Sequence, residues 1–214
     1  MIGSHLTRFG SNRFAVFDME TTDLNLYAAL PWELSYGIAS LKNGIEEIHT
    51  SYILWPGLQL SDDAARVTRF DKAAYLAKAR PPAEVWAEFS PILYDPSVIK
   101  VGHNIFGLDY AMISTWRRAM GLRVDHSWQD NALDTNALSK AYIKGWAPDI
   151  SSLEARLAWQ YRCLSVVEKG FKSNLGFMAG QLGIPFNENE LHGAEADIRL
   201  NWNVFRELVF KMEI

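Results

Sequence analysis

The order of the apolar segments is the feature of this 214-residue chain that most limits how it can fold. Three segments rich in strand-forming residues come first, at residues 13–18, 34–41 and 45–55, and a Lys42-Asn43-Gly44 turn joins the last two. Two further short strands, at residues 97–101 and 131–134, alternate with helical segments. This order is typical of a mixed sheet with helices on both faces. We therefore predict an α/β, three-layer fold around a five-stranded mixed sheet.

The helices are predicted from apolar side chains that recur at three- and four-residue spacing. One begins at Pro81-Pro82 and places Val85, Phe89 and Leu93 on one face. Others are predicted at residues 107–120, 135–144, 151–163, 173–182 and 193–212. Because no repeat or long linker divides the chain, we predict one domain over residues 13–214, after an N-terminal extension of residues 1–12. In that extension, residues 3–5 are typical of a cloning remnant.

Composition excludes several classes of protein. An apolar fraction of 49% supports a packed core, and a net charge of −4 excludes a uniformly basic protein that coats polyanions, but not a nucleic-acid enzyme. The single cysteine, Cys163, excludes an internal disulfide and a multi-cysteine zinc site. No apolar run approaches the roughly 20 residues that span a bilayer, and no signal-peptide pattern opens the chain. We therefore expect a cytoplasmic protein with no membrane partner.

The first candidate site directly follows the first strand. Alternation along that strand places Asp18 and Glu20 on the same face. Two adjacent carboxylates repel each other unless a cation lies between them, and Mg²⁺ prefers such oxygen ligands. The alternative is that both residues are solvated in a loop.

Two further acidic positions follow at domain-scale spacing. Asp109 falls in the first turn of a predicted helix, on an otherwise apolar stripe, where it could simply be a favourable partner of the helix dipole. Asp197 lies on the core-facing side of the last helix, where an unpaired carboxylate is costly. His192 precedes it by five residues and could equally be a surface histidine. Glu195 is interpreted as a favourable acidic residue in the first turn of the last helix. The remaining carboxylates in polar surroundings are interpreted as solvated: Glu33, Glu46, Glu47, Asp62, Asp63, Glu188 and Glu190.

Three motifs in this order resemble the DEDDh branch of the 3′→5′ exonuclease superfamily, which has a ribonuclease H-like fold. They are FDMETTDL at residues 17–24, GHNIFGLD at 102–109 and HGAEAD at 192–197. Within that branch, the five-residue spacing from Asn104 to Asp109 and the WQDN stretch at 128–131 are similar to the nuclease domain of bacterial exonuclease I. The resemblance runs from about residue 13 to the end of the chain.

The resemblance implies hydrolysis with two Mg²⁺ ions, for which Mn²⁺ would substitute. Asp18 would bridge both ions, Glu20 and Asp197 would complete the ion on the nucleophile side, and Asp109 would hold the ion on the leaving-group side. His192 would take the proton from the attacking water. Asp134 would support the metal ligands from behind.

The implied substrate is the 3′ end of single-stranded DNA, released as nucleoside 5′-monophosphates. Thr21, Thr22, Leu24 and Asn104 are the predicted substrate-binding residues. Leu26, Tyr27 and Trp32 would stack on bases or simply pack at the rim. Three alternatives stay open: an exoribonuclease similar to oligoribonuclease or ribonuclease T, a catalytically silent nucleic-acid-binding module, and an endonuclease.

The chain also departs from the family pattern. Asp23 stands where motif one commonly has glycine, and Thr68-Arg69-Phe70 replaces a Thr-Gly-Ile. Residues 148–172 are interpreted as an insertion relative to compact members. The accessory domains of exonuclease I are not expected here, so we predict weak processivity.

Overall fold

The computed structural model describes residues 12–187 and 193–214. Its central sheet has the strand order β3-β2-β1-β4-β5. The strands are β1 Arg13–Thr21, β2 Pro31–Ser40, β3 Gly44–Tyr52, β4 Val98–Gly102 and β5 Ala132–Asp134. Strands β1, β2 and β3 pair antiparallel, whereas β4 and β5 run parallel to β1. The predicted five-stranded mixed sheet is confirmed.

Eight helices are found in the described ranges. They are α1 Asp62–Val67, α2 Lys72–Lys78, α3 Pro82–Leu93, α4 Leu108–Ala119, α5 Thr135–Lys144, α6 Leu153–Leu164, α7 Leu175–Leu182 and α8 Ala194–Lys211. A 3₁₀ turn spans Ser127–Asn131. The sequence pattern predicts no bounds for α1 or α2, and it predicts that the first strand ends at residue 18. In the structure β1 continues to Thr21 because the strand stays paired with β2 as far as Pro31.

Alternation along β1 divides the core into two layers. Phe14 and Val16 pack with the apolar side of α8, whereas Phe17 and Met19 pack with α3 and α4 on the other face. Since side chains two residues apart share a face, Asp18 lies on the α8 side of the sheet, and so does Glu20. The carboxylates of Asp18 and Glu20 therefore lie near the N-terminus of α8.

Helix α6 covers the β5 edge of the sheet. The side chain of Gln160 is fully buried, accepts a hydrogen bond from the backbone N–H of Asp134 at 2.7 Å and donates one to the carbonyl of Ala132 at 3.2 Å. Arg156 donates to the carbonyl of Asp130 at 2.6 Å. These bonds occupy backbone groups at the edge of the sheet, so α6 is a fixed part of the fold.

Across the two described ranges, no helix combines the length and the apolar character needed to cross a membrane.

Candidate metal-binding site

Three carboxylates from two distant parts of the chain meet at the end of β1. One oxygen each from Asp18, Glu20 and Asp197 lies within 4.8 Å of the other two. Asp197 is in the first turn of α8, where its backbone N–H donates to the carbonyl of Gly193. All three residues are half-buried. The strand and the helix therefore bring together two of the predicted motifs.

The electrostatics of this cluster suit a cation. Burial raises the pKa of Asp18 well above its usual range, and the charges of Asp197 and Glu33 raise it further. Burial, followed by the charges of Asp18, Glu33 and Asp197, raises the pKa of Glu20 to about 9. Carboxylates that repel each other in this way are a suitable ligand set for a hard divalent cation, which neutralises them. The oxygen-only donor set of the cluster fits Mg²⁺ or Mn²⁺.

Asp109 approaches the cluster from the other side of the sheet. It lies in the first turn of α4, is 1% exposed, and its Oδ1 has no hydrogen-bond partner among the described residues. Burial and then the charge of Asp18 raise the pKa of Asp109 well above its usual range. Asp109 is not one of the three residues whose oxygens lie within 4.8 Å of one another, but the charge of Asp18 still affects its pKa. A buried carboxylate oxygen without a partner is costly, so this geometry fits a residue that awaits a cation.

The interpretation of Glu33 as a solvated surface residue is wrong. Glu33 is only 8% exposed and is paired directly opposite Glu20 across the β1–β2 ladder, which places both on one face. Burial, the charge of Asp197 and then that of Glu195 raise the pKa of Glu33 to about 7. The signal in the sequence was a carboxylate inside the apolar run of residues 30–34.

The other carboxylates interpreted as solvated divide into two groups. Glu46, Glu47, Asp62 and Asp63 are exposed, as predicted. Glu195 lies in the first turn of α8, as predicted, and is also exposed. Glu188 and Glu190 lie outside the described residues, and so does His192, the predicted general base.

Asp134 holds the loop that carries motif two. Its carboxylate accepts hydrogen bonds from the backbone N–H groups of Asn104 at 2.9 Å and Phe106 at 3.2 Å, and it also caps α5 through Asn136 and Ala137. Burial raises the pKa of Asp134 to about 6, although these four hydrogen bonds oppose the shift. Asn104 has a φ of 67°, in the left-handed region that asparagine tolerates better than most residues. Asp134 thus fixes the turn between β4 and Asp109.

Gly102 allows this turn to close tightly. A Cβ at residue 102 would lie 1.9 Å from the Cγ2 of Ile105 and 3.0 Å from the carbonyl oxygen of Phe17. Only a residue without a side chain fits between β1 and the loop at this point.

The segment after β1 contains the predicted substrate-binding residues. Thr21 and Thr22 are buried; the hydroxyl of Thr21 donates to the carbonyl of Asp23, and that of Thr22 accepts from the N–H of Leu30. Leu24 is 80% exposed. The hydroxyls of the two threonines therefore shape the turn that presents Leu24.

The aromatic residues of this region differ in accessibility. Tyr27 is 84% exposed, and the guanidinium carbon of Arg118 lies over its ring, 5.5 Å from the ring centroid. Trp32 is 3% exposed and packs edge-on against Phe70, so of the two alternatives for Trp32 the structure favours packing over base stacking.

A cavity of about 660 Å³ lies between the β2–β3 hairpin and the N-terminus of α8. Glu33 and Ala196 connect it to the carboxylate cluster, and Tyr52, Arg69 and Arg199 line it further out. Arg69 has a φ of 53°, in the left-handed region where the family resemblance expects glycine. The volume is in the range of small-molecule sites.

Comparisons with known proteins identify the fold. No protein-family profile and no curated protein sequence matches the chain. Solved structures do match. The zinc-bound complex of Escherichia coli exonuclease I with single-stranded DNA has a TM-score of 0.71 at 15% identity, over 94% of this chain and 41% of that chain. The E. coli enzyme in complex with a dT13 oligonucleotide has a TM-score of 0.68 at 16% identity, over 91% and 40%.

A third solved structure extends the match beyond E. coli. Exonuclease I from Methylocaldum szegediense has a TM-score of 0.64 at 14% identity, over 92% of this chain and 40% of that chain. The chain spans about 40% of the length of these structures. It has the fold of the nuclease domain of exonuclease I, with an acidic cluster at the end of its central strand.

Proposed function

We propose that this protein is a metal-dependent 3′→5′ exonuclease that hydrolyses single-stranded DNA to nucleoside 5′-monophosphates. The observation that carries the proposal is the meeting of Asp18, Glu20 and Asp197 within 4.8 Å, in a fold shared with exonuclease I. The repulsion among these carboxylates suits them to bind divalent cations, and such cations can promote the hydrolysis of a phosphodiester.

Asp18, Glu20, Asp109 and Asp197 would hold two divalent cations, Mg²⁺ or Mn²⁺, with Asp18 shared between them. Such ions supply an activated water and neutralise the charge that develops on the phosphate. His192 would accept the proton of that water, a role suited to a side chain that titrates near neutral pH.

The terminal nucleotide would occupy the cavity between the β2–β3 hairpin and α8. The turn built by Thr21 and Thr22 would present backbone groups to it, and the exposed side chain of Leu24 would press against its base. Asn104 would contact the substrate or support Asp109. These contacts are to phosphate and to base faces rather than base edges, so we expect little sequence preference.

The experiment that tests this proposal is a time course with single-stranded oligonucleotides labelled at either end. We expect the 3′ label to be released at once and the 5′-labelled strand to shorten step by step. Immediate release of the 5′ label would contradict the polarity, and internal fragments would indicate an endonuclease. Faster digestion of an RNA of the same sequence would assign the exoribonuclease alternative, since the 2′-hydroxyl distinguishes the two substrates.

A further inference from the structure

Two stacked aromatic pairs include residues close to Asp109 in the sequence, and none of their members lines the cavity. The rings of Phe106 and Tyr161 are 5.2 Å apart with an interplanar angle of 29°, and those of Tyr110 and His126 are 4.5 Å apart at 26°. Phe106 precedes Asp109 by three residues, and Tyr110 directly follows it. The pairs therefore lie within a few residues of a predicted metal ligand.

Tyr161 is held in place from two directions. Its hydroxyl donates to Oε1 of Gln129 at 3.0 Å, and its neighbour Gln160 is bonded to the backbone of β5. Helix α6 belongs to the stretch interpreted as an insertion, so this stretch places the ring of Tyr161 against Phe106. Even so, Tyr161 is 44% exposed, whereas Phe106 beneath it is 6% exposed. A ring fixed in position but still accessible loses little conformational freedom when a ligand stacks on it.

The sheet order relates the aromatic pairs to the cavity. The cavity lies beside β2 and β3. Phe106 and Tyr110 follow β4, Tyr161 lies on α6, which covers β5, and His126 precedes β5, so the aromatic pairs lie on the β4–β5 side of β1. A strand whose 3′ terminus fills the cavity and that continues across β1 would meet the aromatic pairs with the nucleotides on the 5′ side of the scissile bond.

We propose that Tyr161, together with the Tyr110–His126 pair, is a stacking platform for the single-stranded DNA nucleotides upstream of the cleaved bond. The proposal rests on the proposed exonuclease function and adds the route of the strand. Aromatic rings accept any base, which suits an enzyme that must advance along every sequence.

The test compares Tyr161→Ala with Tyr161→Phe and with Tyr142→Ala, a matched loss of an exposed helical tyrosine, 37% exposed, near the far end of α5. All variants carry Asp18→Ala, so that binding is measured without hydrolysis. The probe is a 5′-fluorescein decathymidylate, and thermal unfolding checks that each variant is folded. We expect Tyr161→Ala to weaken binding about tenfold, and the other two to bind as the parent does.

A second probe localises the effect. With 2-aminopurine placed two nucleotides from the 3′ end, we expect fluorescence quenching by the parent and its loss in Tyr161→Ala. Equal affinities of Tyr161→Ala and Tyr142→Ala, unchanged quenching, or no binding by the parent would each overturn the platform. If the wild-type protein fails to hydrolyse DNA but Tyr161→Ala still weakens binding and quenching, the platform stands and the exonuclease proposal falls.

Discussion

We expect Asp18 to affect both the stability and the proposed chemistry of this protein, because its charge acts on Glu20 and Asp109, and that of Asp197 acts on Asp18. We predict that Asp18→Ala lowers nucleotide release by about 10³-fold or more, since both proposed cations depend on this ligand. Without added metal, the variant should unfold at the same temperature or higher, because the repulsion with its neighbours is gone. Parallel measurements of nucleotide release and thermal unfolding check both effects.

The control for this prediction is Glu46→Ala, which removes an exposed carboxylate of β3. It should keep wild-type activity. A folded Asp18→Ala protein with wild-type turnover would refute the assignment of the metal site.

We expect Glu33 to make the stability of the metal-free protein depend on pH. Its pKa is raised to about 7, so the folded state keeps a proton that the unfolded state releases at lower pH. The stability associated with this proton is present below the unfolded pKa and is lost as pH rises through about 7. We predict that Glu33→Gln reduces the loss of stability over this interval; Asp18 and Glu20 still contribute the rest.

The measurement is chemical denaturation in EDTA at about pH 5 and about pH 8, with Glu46→Gln as the control. Glu33→Gln should show a smaller difference between the two pH values than the wild type. A difference as large as that of the control would mean that the pKa of Glu33 is not raised in the folded protein.

Among the structural elements, the loop after β4 is held by one hydrogen-bond acceptor, the carboxylate of Asp134. Asp134→Ala leaves four backbone N–H groups without the carboxylate and removes the cap of α5. We predict a loss of about 1–3 kcal/mol in the free energy of unfolding. Activity should also fall, because the position of Asp109 depends on the same loop.

Asp134→Asn is the matched variant. Oδ1 accepts three of the four hydrogen bonds, and an amide oxygen can keep them, so only the bond from Phe106 to Oδ2 is lost. Denaturant unfolding should place this variant between the wild type and Asp134→Ala. Equal stability of all three proteins would show that the hydrogen bonds contribute nothing measurable.

The same elements show what the sequence could and could not predict. Strand alternation placed Asp18 and Glu20 on one face, and helical spacing placed Met112, Ile113 and Trp116 in the core, because both patterns are local. Glu33 was missed because β2 is buried on both faces, which removes the alternation that marks a solvated side. The role of α6 was missed because Gln160 bonds to residues 26 and 28 positions away, a contact without a local signature.

At the scale of the whole molecule, we expect the charge of the chain to limit its affinity for DNA. A net charge of −4 argues against a long basic track that would follow the strand. We predict distributive or weakly processive digestion and a shallow dependence of affinity on salt. The prediction of weak processivity is checked by a competitor-trap experiment, in which excess unlabelled strand is added after the reaction begins. Shortening of the labelled strand should stop; continued shortening to the end would contradict the prediction.

The requirement for a divalent cation tests the central claim most directly. We would follow a 5′-labelled single-stranded oligonucleotide with the purified protein in Mg²⁺, in EDTA, and in EDTA followed by excess Mn²⁺. We predict stepwise shortening in Mg²⁺, none in EDTA, and recovery with Mn²⁺, because the proposed mechanism needs cations between the repelling carboxylates at the end of β1. Undiminished shortening in EDTA would contradict it.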